Sequence, residues 1–400
     1  MKVETQRLID RTVGTIICRI FSIYYQFFKK KPRPKETRNI LIILLSEMGA
    51  LVLGYPMFQR LKKKFPAASL HIMLFEKNRE VVELLGIIPP ENIITINDRS
   101  MPVFVKSALN ALAGMRKLKI DTVIDCELFS RISSIFSFLS GAAIRVGFHP
   151  HTQEGLYRGN FINRPVLYNP YHHISRQFLT LVDAIDSTTD PKAKRMLTEA
   201  KLAIPAIKFA PDEIEDAQKQ LLDKAPGIQG QKIVLIYPGG GLLPIRAWPL
   251  DYYCGLAEEL LKHGYAVCII GLAEDKDVAR TILSHTQSEN CVDLTGYTKT
   301  IRELMLIFHF SSLLVTNDGG PGHFAAMTPI PTIIFYGPET PLLYGPIDEK
   351  ALNLYLGLSC SPCVTAYNHR NSPCDGDNLC LKKIAPEDVL SQALKILEPD

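Results

Sequence analysis

The sequence predicts two consecutive α/β units with parallel sheets, preceded by an amphipathic N-terminal helix. Three observations carry this. Short apolar runs alternate with helical stretches from residue 39, the alternation lapses over 149–230, and it restarts at 232. Strand–helix alternation of this kind marks a parallel sheet, whose strands read as continuous apolar runs because both faces are covered. A chain of 400 residues has the length of two domains. Hydrophobic residues at 46% and charged residues at 22% exclude disorder and coiled coil. Forty-five basic and 41 acidic residues leave a formal net charge of +4, too balanced to argue for nucleic acid. The chain has no run of about 18 apolar residues, which excludes a multi-span membrane protein.

The first element is the segment 12–28, TVGTIICRIFSIYYQFF. As a helix it puts Thr15, Arg19, Ser22 and Gln26 on one stripe, with Ile16, Ile17, Ile20, Phe21, Tyr24, Phe27 and Phe28 over the remainder. At ~1.5 Å per residue it is shorter than a ~30 Å hydrocarbon core, and Arg19 sits at its centre. The run KKKPRPKETR (29–38) follows, with six basic residues and one acid. The pair reads as a helix lying in a membrane interface with the basic run against anionic headgroups. A helix packed on the protein's own surface and a cleaved signal peptide are the alternatives, although Lys and Pro stand where a cleavage site would want small residues. The expected location is therefore cytoplasmic, peripheral on the inner face of the cytoplasmic membrane.

The expected strands of the first unit are 39–45, 69–75, 92–96, 121–125 and 142–148, with helices near 51–64, 77–85, 102–116 and 129–139. The second unit has strands at 232–238, 265–271, 291–294, 312–318 and 331–337. Its helices fall near 250–263, 275–285 and 300–309, with a short one after Gly322. The expected domains are 1–38, 39–185, a crossover at 186–230, 231–385, and a C-terminal helix at 386–400, whose return to the first unit is left open.

Three features lie at carboxyl ends of second-unit strands, where open α/β sheets bind ligands. YPGGG (237–241) is followed by LLPIRAWP; Gly239 and Gly240 let a backbone approach a phosphate, and Arg246 is a bidentate cation for a diphosphate. GLAEDKD places Glu274 within reach of a ribose or base, although an acidic helix start accounts for it equally well. LVTNDGGPGHFAAM (314–327) ends a strand at Asp318, loops through Gly319, Gly320 and Gly322, and starts a helix near His323 whose free amides suit an anion.

The NDGGPGH and PTIIFYGP segments, with PGGG…RAWP and LLSEMGALVLGYPMFQRLKKKFP, resemble glycosyltransferase family 9, the lipopolysaccharide heptosyltransferase family, over about residues 39–395. The resemblance implies a GT-B fold of two facing Rossmann-like domains. The first would bind a lipid-linked saccharide acceptor and the second a nucleotide-sugar donor, most plausibly ADP-heptose. It implies inverting, metal-independent transfer, with Arg246 in the slot of a phosphate-contacting basic residue and Asp318, Gly319, Gly320 and His323 on the donor loop. Where the family carries an aspartate base after Met-Gly, this chain has Ala50 after Met48 and Gly49. Glu47, in the same loop, is the expected substitute base, with a loop carboxylate that only makes local hydrogen bonds and an inactive or acceptor-assisted variant as the alternatives. Asp275-Lys-Asp277 and Asp375-Gly-Asp377 are the only Asp-x-Asp candidates for a divalent ion, and both are set aside. In the first unit, Arg131, Arg145 and His149 are weaker candidates for meeting an acidic acceptor.

Of the nine cysteines, Cys18, Cys126, Cys254, Cys268 and Cys291 sit among apolar residues and read as core. Cys360, Cys363, Cys374 and Cys380 cluster within CSPCVTAYNHRNSPCDGDNLC. A closed tetrahedral zinc site is the leading reading, with His369 as an alternative ligand. Disulfides, an iron–sulfur cluster and free thiols remain open. The rival functions are a nucleotide-sugar epimerase on the same architecture and a scaffold that binds nucleotide sugar after losing its base.

Overall fold

The computed structural model describes residues 3–28, 36–45, 47–128, 130–149, 157–187, 201–241, 243–366, 371–372 and 374–399. It divides into two units, Met1–Ala203 and Ile204–Asp400. The strands of the first are β1 (Asn39–Ile43), β2 (Ser69–Phe75), β3 (Ile93–Ile96), β4 (Thr122–Asp125), β5 (Ile144–Phe148) and β6 (Arg164–Val166). Those of the second are β7 (Ile233–Tyr237), β8 (Ala266–Gly271), β9 (Cys291–Thr295), β10 (Leu313–Asn317), β11 (Thr332–Tyr336) and β12 (Ala351–Tyr355). The sheets run β3-β2-β1-β4-β5-β6 and β12-β11-β10-β7-β8-β9, with every pairing parallel. Counted within its own unit, each has the Rossmann order 3-2-1-4-5-6, so the order reverses between β1 and β4 and again between β7 and β10. The central strands are buried along their whole length apart from Asn39 at the start of β1, as their continuous apolar runs require.

The structure adds elements that the pattern did not announce. The edge strands β6 and β12 are only partly buried and lack a long apolar run, and β6 carries Pro165. The helix Pro211–Lys224 lies in the expected crossover. It packs on helix Ile301–Phe310 of the second unit, with Arg302 paired to Glu213 at 2.6 Å. The helix expected over 51–64 is two, Met48–Leu53 and Tyr55–Lys64, divided at Gly54 ahead of Pro56, which lacks an N–H to continue the ladder. The C-terminal helix Pro386–Leu397 stays with the second unit, burying Val389, Ala393 and Leu397 in the cluster that holds Leu256 and Leu260.

The N-terminal helix departs most from expectation. It starts at Val3, passes through a π-helical stretch at Asp10–Gly14, and continues over Thr15–Phe27. Asp10 accepts hydrogen bonds from the backbone N–H of Arg131 (2.9 Å) and Ile132 (2.8 Å), capping helix Arg131–Leu139 from outside. Gly14 lies so close to that helix that a Cβ would stand 3.0 Å from the Arg131 Cβ. Cys18 and Ser22 complete the inward line at i, i+4 and i+8. Ser22 shares a hydrogen bond with the Tyr157 hydroxyl (2.9 Å) and accepts one from the Asn160 N–H (2.8 Å). Small residues face inward because only they permit so close an approach. Ile17, Phe21 and Tyr25 flank that line and pack on the protein, Phe21 against Phe138 at 4.9 Å, while the opposite face is bare: Ile16 is 58% exposed and Phe27 79%. Ser22 is thus a protein contact, set apart from Thr15, Arg19 and Gln26 of the polar stripe. Residues 29–35 of the basic run lie outside the described residues.

In the first core, His71 of β2 is buried opposite Leu41, and among the described residues neither ring nitrogen has a hydrogen-bond partner. Burial lowers its pKa from the ordinary 6.5. The unfolded chain therefore binds the proton more readily, so this stability is complete above about 6.5 and is lost as the pH falls below it. His71→Phe should flatten the acid limb of stability between about pH 5 and 6.5. Urea melts of both proteins across that range check this, and parallel limbs would contradict it.

Candidate functional site

The β7–β10 reversal is built on one side chain. Asn317, fully buried at the end of β10, donates through Nδ2 to the carbonyls of Pro238 and Gly239, both at 3.0 Å. Its Oδ1 accepts from the Trp248 N–H and the Tyr253 hydroxyl, both at 2.9 Å. One amide thus fastens the loop after β7, the turn that carries Arg246, and the end of β10. Trp248 is core. It stacks on Phe335 at 4.5 Å and donates its indole N–H to the Ile384 carbonyl (3.0 Å). The loop after β7 tolerates no side chain at Gly240, where a Cβ would sit 2.9 Å from the Leu243 carbonyl oxygen.

Arg246 lies in a nest of acids. Its Nη2 is 2.8 Å from Glu339 and its Nε 3.5 Å from Asp318, and all three side chains are largely buried. The Tyr336 hydroxyl bonds Asp318; burial, then the charges of Asp318 and Glu339, push its pKa far up, so it stays protonated. Arg246 therefore does not stand as an isolated phosphate cation. Its Nε–Nη2 edge is engaged by two carboxylates. Sequence reading missed Asn317, Tyr336 and Glu339. Asn317 stood inside a quoted motif but looked like a strand residue, and Glu339 followed the quoted PTIIFYGP segment, where Gly337 and Pro338 read as a simple turn.

Asp318 also donates its N–H to the Phe335 carbonyl. His323 is buried on the six-residue helix Gly320–Ala325. Gly322 is closely packed: a Cβ there would stand 2.9 Å from Ile334 Cδ1 and displace that side chain's tip. At Gly319 the space is open. Glu274 is exposed in the turn after β8. Burial, then Asp275 and Glu274, push the nearby Tyr237 hydroxyl up to about 12, and the Tyr237 ring lies 3.0 Å from where a Gly239 Cβ would be. The structure thus gathers Arg246 with Asp318. In the Asp-x-Asp candidates, Asp275 accepts from the Leu272 N–H, Asp277 pairs with Arg280, and Asp377 pairs with Lys382.

The cysteine segment has a different role from the one expected. Among the described residues no three His, Cys, Asp or Glu side chains gather to hold a metal ion. Cys363 Sγ meets Ser372 Oγ at 3.1 Å, Cys374 turns to Asp375 and Asn378, Cys380 packs by Gly337 and Leu381, and Cys360 is exposed. No metal cage forms among the described residues, so the zinc reading is not supported; His369 lies outside the described residues. The segment is a brace. The N–H groups of Cys363 and Val364 bond the Pro338 carbonyl, next to Glu339, and Asn378 donates to the Ile245 carbonyl (2.9 Å), next to Arg246.

At the β1–β4 reversal of the first unit, Glu47 precedes helix Met48–Leu53 as its N-cap residue, without a side-chain capping bond. Glu127, after β4, accepts from the Leu45 N–H at 2.6 Å and so ties the two loops. Beneath it, fully buried Arg158 pairs with Asp125 and donates to Ser133 and to the carbonyls of Glu127, Ser130 and Phe148. Burial pushes Asp125 up to about 6, against the pull of Arg158. The arginines considered for the acceptor serve the scaffold. Arg131 pairs with Asp10, and buried Arg145 bonds the Phe161 carbonyl (2.8 Å) and the Ala142 carbonyl beneath the Tyr25 ring. His149 meets the Gly159 carbonyl at 3.2 Å.

Two parallel six-stranded sheets of Rossmann order, each with its reversal lined by polar loops, define the GT-B class. A solved structure titled as the ADP-heptose lipopolysaccharide heptosyltransferase II of E. coli matches with a TM-score of 0.69 at 21% identity, covering 90% of this chain and 98% of that one. A family 9 glycosyl transferase structure from Veillonella parvula matches with a TM-score of 0.67 at 18% identity, covering 92% and 99%. The family model "Glycosyltransferase family 9 (heptosyltransferase)" matches residues 113–372, more than half of the chain. The chain belongs to that family and is a glycosyltransferase. Lipooligosaccharide heptosyltransferase 2 of Haemophilus ducreyi is 24% identical over 324 residues, 80% of this chain and 88% of the relative.

Removing the Asn317 amide takes away four buried hydrogen bonds. At about 1 kcal/mol each, Asn317→Ala should destabilise the second unit by roughly 2–4 kcal/mol. Urea unfolding followed by Trp248 fluorescence reads this, and a change below about 0.5 kcal/mol, the range of an ordinary surface substitution, would contradict it.

Proposed function

We propose that this enzyme transfers a heptose from ADP-heptose onto the saccharide core of a lipopolysaccharide or lipooligosaccharide, with inversion at the sugar carbon and without a cofactor. The observation that carries the reading is the Asn317 tie between the loops after β7 and β10 in a family 9 chain. The relatives named as lipooligosaccharide heptosyltransferase 2 and the neighbour titled for ADP-heptose support the donor and acceptor. Family membership favours transfer over the epimerase and scaffold readings.

In this reading the second unit holds the donor. Glu274 takes hydroxyls of the nucleoside. Gly239, Gly240, Gly319 and Gly320 admit the diphosphate, Gly322 keeps their loop packed, and His323 supports it. Arg246 faces the same diphosphate, held in orientation by Asp318 and Glu339, so that its charge is in place before the bond breaks. In the first unit Glu47 takes the proton of the acceptor hydroxyl. The freed oxygen pair bonds the heptose anomeric carbon as the bond to the diphosphate oxygen breaks, and ADP departs with that electron pair. The N-terminal helix keeps the enzyme on the inner face of the cytoplasmic membrane, where a lipid-linked acceptor lies.

ADP release from ADP-heptose should depend on a heptose-deficient lipopolysaccharide core; acceptor-independent release, or none, contradicts the proposal. Glu47→Gln should lower kcat by about 100-fold or more with little change in donor KM. Glu127→Gln keeps an oxygen for the Leu45 N–H and should stay within about threefold of the parent. The reverse pattern would move the base to Glu127.

A further inference from the structure

We infer that the first unit docks on an anionic lipid surface through two apolar stripes, the outward face of the N-terminal helix and the exposed flank of helix Met101–Lys117. The inference rests on the membrane location proposed above and adds a second contact to it.

Met101, Val105 and Leu109 recur at i, i+4 and i+8 on helix Met101–Lys117 and are all exposed, Leu109 by 60%. On the other flank Ser107, Asn110 and Gly114 line a groove of about 450 Å³ with β3, the edge strand, and Val103 is exposed ahead of them. The apolar stripe therefore turns away from β3, toward the β4–β5 side of the sheet. That is the side of the N-terminal helix, which packs on helix Arg131–Leu139. The two also meet at their starts, where Gln6 donates to Asp98 (3.3 Å) in the loop that leads into helix Met101–Lys117.

The charge pattern selects the occupant. No acid occurs from Arg11 to Lys35, nor from Ser100 to Ile120; the first stretch holds seven basic residues and the second four. Arg19, Lys106, Arg116 and Lys117 are exposed among the apolar residues. Isolated exposed leucines need no explanation, but two apolar stripes on stretches that hold cations and no acid, with Asp10 and Asp98 engaged by Arg131 and by Gln6 and Lys77 at their starts, match a bilayer with anionic headgroups. A second copy of the chain would bring like charge against like. Exposed Tyr24, stacked on Phe28 at 4.6 Å, is the kind of ring that settles at a headgroup boundary.

The test is co-sedimentation of the full chain with phosphatidylglycerol–phosphatidylcholine vesicles. The parent should bind, more weakly as salt rises. The double substitution Val105→Glu with Leu109→Glu should weaken binding by about tenfold, and Ile16→Glu with Ile20→Glu should abolish it. Thermal melting and ADP-heptose binding, both expected unchanged, show that the variants are folded. Parent-like binding by the Val105/Leu109 variant, with loss in the Ile16/Ile20 variant, overturns the second contact while the membrane location stands. Absence of binding by the parent overturns both. A parent dimer that these substitutions convert to monomer without affecting vesicle binding would assign the face to a second copy and overturn the inference.

Discussion

The candidate donor site depends on a buried amide with all its hydrogen-bonding capacity spent. A sheet reversal separates two neighbouring strands' loops and leaves carbonyls at the top of the core without ladder partners. Asn317 satisfies two of them and accepts two donors in return. Glycine-bearing backbone is thereby held rigidly where a ligand would meet it. Neither a hydrophobic residue nor a carboxylate substitutes, because only an amide both donates twice and accepts twice.

Charge at this site is arranged differently from a plain cationic pocket. Arg246 sits with two carboxylates and a protonated tyrosine, in a buried setting where an unpaired guanidinium would be costly. The acids orient the fork at the expense of its net field. The cysteine-bearing segment then contacts the carbonyls beside Glu339 and Arg246, so both partners of the ion pair are braced from one stretch of chain.

Much of this was legible in the residues, for identifiable reasons. β1, β7, β10 and β11 are buried on both faces, so their apolar runs had to be continuous. The glycine loops and Arg246 lie at the carboxyl ends of β7 and β10, where the Rossmann order puts ligands. Partners distant in sequence were not legible: Glu339 with Arg246, Glu127 with Leu45, and Asn317 with Pro238 are juxtaposed only by the fold. The N-terminal helix shows the same limit. Its periodicity was plain, but which stripe faced the protein depended on Arg131, Tyr157 and Asn160, and a serine proved to be the inner residue. The four cysteines illustrate the converse, in which close spacing in sequence did not bring the sulfurs into a metal cage among the described residues.

The central claim is that the donor meets the second unit at the loops Asn317 ties together. Hydrogen–deuterium exchange of the full chain with and without ADP-heptose tests it most directly. The account predicts slowed exchange in segments 238–247 and 317–324 when the donor is bound. Unchanged exchange in both, with protection confined to other parts of the chain, would contradict it.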